Sequence, residues 1–247
     1  MTTAEISSIS SKITGRTNKT SLRIAALIAG ISLLIMVIAA PFAELFMYPK
    51  LVVPGDAAET VKNILANKTL FVFCILGYLI TFICDVLVAW ALYVYLKPVN
   101  ENLSLLTAWF RLVYTVIALV ALLNLVTVLG LVSTADTLTG SQRGQLYAQV
   151  MLFLNTFKSH WSFGLLFFGI HLGLLGYVVF QSNYIPRIVG VLLVIAGSGY
   201  LLNALKPFLF PNINLDFAQY TFFGELIFML WLLIKGSRIE ESRSKNV

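Results

Sequence analysis

The sequence predicts an all-α fold: a polytopic bundle of six transmembrane helices, with short interfacial helices on the non-cytoplasmic side. Three observations lead there. Hydrophobic residues make up 59% of the 247-residue chain and charged residues only 11%, against roughly 45–50% and about 25% in soluble domains. Mean hydropathy is +0.88. So few charges cannot cover a water-soluble fold of this size, which excludes soluble enzymes, nucleic-acid binders and disordered chains. Six apolar runs each approach or exceed the roughly 20 residues that carry a helix across about 30 Å of hydrocarbon. Inside lipid every backbone polar group needs a partner within the segment, so an open chain crosses as helices.

In chain order, residues 1–22 are a polar, Ser/Thr-rich tail with Lys12, Arg16 and Lys19, expected to be disordered and cytoplasmic. The apolar run from Ile24 outlasts the 7–15 residues of a signal-peptide core, so a cleaved leader is not expected. One membrane domain, 23–236, holds the spans at 24–46, 70–96, 103–132, 161–180, 188–209 and 217–234, and a charged cytoplasmic tail, 237–247, closes the chain. The third run is long enough to tilt or to project beyond the bilayer.

The joints have their own chemistry. Pro54-Gly55 turns the chain, and Asp56 with Glu59 has the spacing of a capping box. Val61, Ile64 and Leu65 then form an apolar stripe, read as a short helix on the membrane surface. Leu146, Val150, Phe153 and Phe157 repeat that pattern ahead of span four. If 141–180 is one helix it measures about 60 Å, which requires a bend or an interfacial stretch.

Basic residues set the orientation. Lys12, Arg16, Lys19, Arg23, Lys97, Arg187, Lys235, Arg238, Arg243 and Lys245 fall on one side, whereas Lys50, Lys62, Lys68, Arg143, Lys158 and Lys206 fall on the other. The excess favours both termini in the cytoplasm. Cys74 and Cys84 share one span, about 15 Å apart along a helix, too far for a disulfide; both read as buried small hydrophobes.

Glu44, Asp85, Arg111, His171 and Glu225 fall inside the spans. A charge at the centre of a membrane helix costs at least about 2.5–3.5 kcal/mol. Counted from the cytoplasmic ends at about 1.5 Å per residue, Asp85 lies about 17 Å deep, Arg111 about 12 Å, and His171 and Glu225 each about 14 Å. Four ionisable groups from four helices thus share one midplane layer. It reads either as an ion-pair network, with Arg111 bound to Asp85 or Glu225, or as the lining of a polar cavity for an ion, proton or small solute. Two carboxylates facing one arginine leave an excess negative charge.

Asp85, His171 and Glu225 are also acceptable metal ligands, but Arg111 in the same layer opposes a cation and no compact metal motif is present. His160, beside span four, and His171, within it, stand eleven residues apart, about 16 Å along a helix, so they cannot ligate one haem. No cofactor is expected. Glu44 marks a secondary outer site, with Lys206 as its expected partner and Lys158 and Asn124 in the same zone. Gly169, Gly173 and Gly176 form a small-residue stripe suited to close packing, within the bundle or in a homo-oligomer.

Several segments together resemble the bacterial DUF4386 family of integral membrane proteins: Ala43-Glu44-Leu45, LVVPGDAAETVKNILAN from Leu51, Cys84-Asp85-Val86, LKPVNENLSLLTAWFRL from Leu96, FFGIHLGLLGY from Phe167, IPRIVGVLL from Ile185 and GELIFMLWLLIKG from Gly224. The resemblance implies a bacterial cytoplasmic membrane and singles out Glu44, Asp56, Asp85, Arg111, His171, Pro186, Arg187 and Glu225; it supplies no substrate. Three functions follow. The first is a solute- or ion-binding membrane protein that uses the layer. The second is a non-catalytic accessory or immunity-type protein whose charges are structural, and the third is an intramembrane metal-dependent lipid hydrolase. An enzyme is not the favoured reading, and the expected partners are the lipid bilayer and a small solute or ion.

Overall fold

The computed structural model describes residues 22–135, 140–209 and 221–236; the expectations for 1–21, for 237–247 and for the start of the sixth span lie outside them. The described residues form seven helices and no strands: α1 (Leu22–Leu51), α2 (Ala57–Ala66), α3 (Lys68–Leu96), α4 (Glu101–Ser133), α5 (Ser141–Gln181), α6 (Arg187–Leu209) and α7 (Phe223–Ile234). Five of them, α1 and α3–α6, are long and apolar enough to cross a membrane. Helix α7 has 12 residues, about 18 Å at 1.5 Å each, short of a full crossing.

Six helices close into a ring in chain order. Helix α1 packs on α3, α3 on α4, α4 on α5, α5 on α6, α6 on α7, and α7 returns to α1. Glycine sits in five of the six seams. A Cβ at Gly77 would stand 3.2 Å from Ala43, one at Gly164 3.2 Å from Ile117, and one at Gly30 2.7 Å from Leu233. At Gly224 it would strike the Leu192 carbonyl. The tightest seam joins α5 and α6, where a Cβ on Gly169 or Gly176 would lie 2.9 Å or 2.6 Å from the carbonyls of Gly197 and Gly190. With no hydrophobic driving force between helices in lipid, close backbone approach supplies the attraction. Gly169 and Gly176 are therefore spent inside the bundle, the first of the two alternatives that their spacing left open.

Large apolar side chains cover the outside: Ile38, Leu45, Val116, Leu123, Leu152, Ile188 and Phe208 are all exposed, as a lipid-facing surface requires. Cys74 and Cys84 are buried free thiols.

Helix α1 changes register within its span. Residues Phe42–Met47 are a π-helix, bracketed by Pro41 and Pro49. Each proline removes one N–H from the ladder, and the wider turn is one way a helix absorbs the loss. The Tyr48 N–H accordingly reaches back to the Ala43 carbonyl, which also accepts from the Cys74 thiol at 3.7 Å.

Helix α2 begins as the sequence indicates. The Asp56 carboxylate accepts from the Glu59 N–H at 2.9 Å. The reciprocal half of the capping box is missing, because the Glu59 side chain pairs with Lys62 at 3.0 Å. The apolar face is not spent on the membrane surface: Val61 and Ile64 are fully buried, and α2 docks across the ends of α3, α4 and α5. Leu146, Val150 and Phe157 likewise point into the core, on a helix that runs unbroken from Ser141 to Gln181. Amphipathic spacing shows that a face is buried and does not say against what.

Candidate functional site

Asp85, Arg111 and His171 meet at the centre of the ring, on α3, α4 and α5, all at most 1% exposed. One Arg111 nitrogen, Nη2, lies 2.6 Å from Asp85 Oδ1. The contact is a buried ion pair. That contact apart, neither Asp85 oxygen nor Arg111 Nε has a hydrogen-bond partner among the described residues. The other terminal nitrogen, Nη1, lies 3.1 Å from His171 Nε2, and His171 Nδ1 lies 2.9 Å from the Thr107 carbonyl.

Arginine only donates and a carbonyl only accepts. Those two contacts assign His171 as the neutral tautomer that carries its proton on Nδ1.

The remaining helices also reach this layer. From α1, Met36 Sδ lies 3.8 Å from Arg111 Nη2. From α5, the Phe168 ring stands 5.3 Å from the guanidinium carbon, a cation–π distance. The same ring meets Tyr200 of α6 edge-on at 5.1 Å, and the Tyr200 hydroxyl donates to Glu225 of α7. Glu225 is half-buried and within electrostatic reach of Arg111 and Asp85. All six ring helices thus contribute a side chain to one layer. Arg111 takes Asp85 as its carboxylate, and Glu225 is held by Tyr200.

Among the described residues, no three His, Cys, Asp or Glu side chains stand close enough to hold an ion together. The low-ranked metal trio of Asp85, His171 and Glu225 is therefore not assembled, and Arg111 occupies the imidazole nitrogen that a metal would need.

The outer site differs from expectation. Glu44, carried on the π segment, pairs with Lys158 and accepts from the Tyr78 hydroxyl; its partner is not Lys206, which lies in the last turn of α6. The Lys158 ammonium stands 4.2 Å over the Tyr48 ring. Below it, Tyr78 meets Phe157 at 5.2 Å and Trp161 at 5.4 Å, and Trp161 Nε1 donates to the Tyr114 hydroxyl at 3.2 Å. Sequence reading missed this aromatic block. The clue was Tyr78 ten residues into α3, facing Phe157 and Trp161 one turn apart on α5.

The model of the family described as "Domain of unknown function (DUF4386)" matches residues 28–236. The chain belongs to the DUF4386 family. An uncharacterised protein of Archaeoglobus fulgidus is 36% identical over 177 residues, covering 72% of this chain and 92% of that relative. No solved structure matches the chain. The DUF4386 match takes in α1 from residue 28, the other five ring helices in full and every residue of the central layer.

Proposed function

We propose that this chain is a six-span membrane protein with both termini in the cytoplasm, and that it binds or moves a proton or small cation at the Asp85–Arg111–His171–Glu225 layer. Helix α7, with the residues before it, supplies the sixth span. The single observation that carries the reading is the incomplete neutralisation of the layer. With His171 neutral, Arg111 pairs directly with Asp85, and among the described residues Glu225 has a tyrosine hydroxyl as its hydrogen-bond partner and shares the one more distant charge of Arg111. A carboxylate at membrane depth is costly without a counter-charge, and a mobile proton or cation supplies one. Glu225 lies in the first turn of the α-helical part of α7.

The second reading, charges that only fix helix register, is favoured by the fully buried Asp85–Arg111 pair. Glu225→Gln separates the two, because glutamine keeps the hydrogen bond to Tyr200 and removes the charge. In proteoliposomes loaded with a pH-sensitive dye and given a sodium or potassium gradient, the wild type is expected to move protons or the alkali cation. Glu225→Gln is expected to remain folded and to be inactive. Equal flux in the two proteins would leave the structural reading.

A further inference from the structure

We propose that the central layer is reached from one face only. Water and small solutes enter from the face of the 97–100 turn past Tyr95 and Ser104, and the Glu44–Lys158 pair with its aromatic block is the closed gate on the α2 face. This deepens the binding role proposed for the layer and rests on it.

Buried polar groups almost always have a partner, and where the protein supplies none, water does. Among the described residues, the buried side-chain atoms without a protein hydrogen bond are Asp85 Oδ1 and Oδ2, Arg111 Nε, the Tyr95 hydroxyl and Ser104 Oγ. Their placement is one-sided. Asp85 and Arg111 are the layer itself. Tyr95 is one residue from the end of α3 and Ser104 lies in the first turn of α4, both beside the 97–100 turn. Ser104 and Arg111 are seven residues apart, so they share one face of α4, two turns and about 10 Å from end to end. The groups left for water are Ser104 Oγ and the Tyr95 hydroxyl near that face, and Asp85 Oδ2 and Arg111 Nε in the layer.

On the opposite side no buried side-chain atom is left over among the described residues. Thr81 Oγ1 donates to the Gly77 carbonyl and Thr115 Oγ1 to the Arg111 carbonyl. The space is filled by Tyr78, Phe82, Phe157 and Trp161, with Phe82 and Trp161 at 6.3 Å. At the rim, the Lys158 and Glu44 side chains remain 37% and 31% exposed. Separating that pair therefore leaves no charge stranded in the core, which suits a contact that opens.

The experiment is thiol labelling of membrane vesicles of both orientations with a membrane-impermeant maleimide, in a Cys74→Ala/Cys84→Ala background. Asn102→Cys marks the 97–100 face and Ala58→Cys the α2 face. Ser104→Cys is expected to label only from the Asn102→Cys face. Thr115→Cys, beneath the aromatic block, is expected to label from neither face, and to become reactive from the Ala58→Cys face when Glu44→Gln or Lys158→Met is added. Both reporters are near-isosteric replacements, and Lys158→Met stands in should Glu44→Gln fail to fold. Ser104→Cys unreactive from both faces, or Thr115→Cys reactive from the α2 face with the ion pair intact, would overturn the proposal. No gain of reactivity in either gate variant would overturn the gate. One-sided labelling together with unaltered flux in Glu225→Gln would leave the path standing and remove the binding role; normal loss of flux with Ser104→Cys unreactive would do the reverse.

Discussion

Arg111 Nη1 lies 3.1 Å from His171 Nε2, and because a guanidinium carries no acceptor the imidazole is the acceptor of this bond. The Thr107 carbonyl on the other ring nitrogen, at 2.9 Å, completes the assignment. His171 is thus a polar spacer, tying α5 to α4 and holding the Arg111 guanidinium beside Asp85.

His171→Ala removes both contacts and leaves a buried arginine N–H without a partner, whereas the Thr107 carbonyl keeps its bond within α4. One orphan costs about 1–3 kcal/mol, so the variant is expected to be about 1–3 kcal/mol less stable than wild type. Chemical unfolding in mild detergent measures this. A loss below about 1 kcal/mol would show that the bonds are replaced by water.

Asp85→Leu alone, or Arg111→Met alone, strands the surviving charge in a site at most 1% exposed. Breaking a buried pair from one side typically costs about 3–5 kcal/mol, whereas apolar replacement of both partners is often neutral. The expected double-mutant cycle is two unstable single variants and a double variant close to wild-type stability. Two stable single variants would mean that neither charge depends on the other for its counter-charge.

The glycine seam makes a paired prediction. At Gly176 an alanine Cβ would meet the Gly190 carbonyl at 2.6 Å, whereas at Gly173 it would meet nothing within 4 Å. Overpacking of this kind costs about 1–3 kcal/mol, so Gly176→Ala is expected to lower the melting temperature and Gly173→Ala to leave it unchanged. Equal effects would contradict the α5–α6 contact described above.

Helix α2 is a docked cap, which separates two substitutions in size. Asp56→Ala removes one capping bond and is expected to cost about 1 kcal/mol. Ile64→Ala empties a fully buried position and is expected to cost about 2–5 kcal/mol. Proteolysis of the 52–67 segment reads both; an Ile64→Ala variant as resistant as wild type would place that side chain in lipid.

Much of this architecture is legible in the chain. Helix α3 ends at Leu96, where Lys97 and Pro98 turn the chain into α4, and α7 ends at Ile234, ahead of Lys235. The depth count also brought Asp85, Arg111 and His171 into one layer, since helices in a bundle run nearly parallel and rise by a fixed step. What distance along a helix cannot give is azimuth. It left the partner of Arg111 open between Asp85 and Glu225, paired Glu44 with Lys206 instead of Lys158, and did not say whether Val61 and Gly176 face lipid, a second copy or the protein. The π segment at Phe42–Met47 further rotates Glu44 off the expected helical face; Pro41 and Pro49 eight residues apart were the available sign.

The central claim is that Glu225 holds a proton or small cation, and ligand-linked stability tests it most directly, because an ion that binds only the folded protein raises stability with the logarithm of its concentration once that exceeds Kd. The melting temperature of wild type and Glu225→Gln in nanodiscs would be followed while sodium, potassium or protons are titrated, with choline chloride as the ionic-strength control. The wild type is expected to gain stability with the logarithm of the concentration of at least one of them, and Glu225→Gln to gain none. A wild type that responds to none of them, or a variant that responds equally, would contradict it.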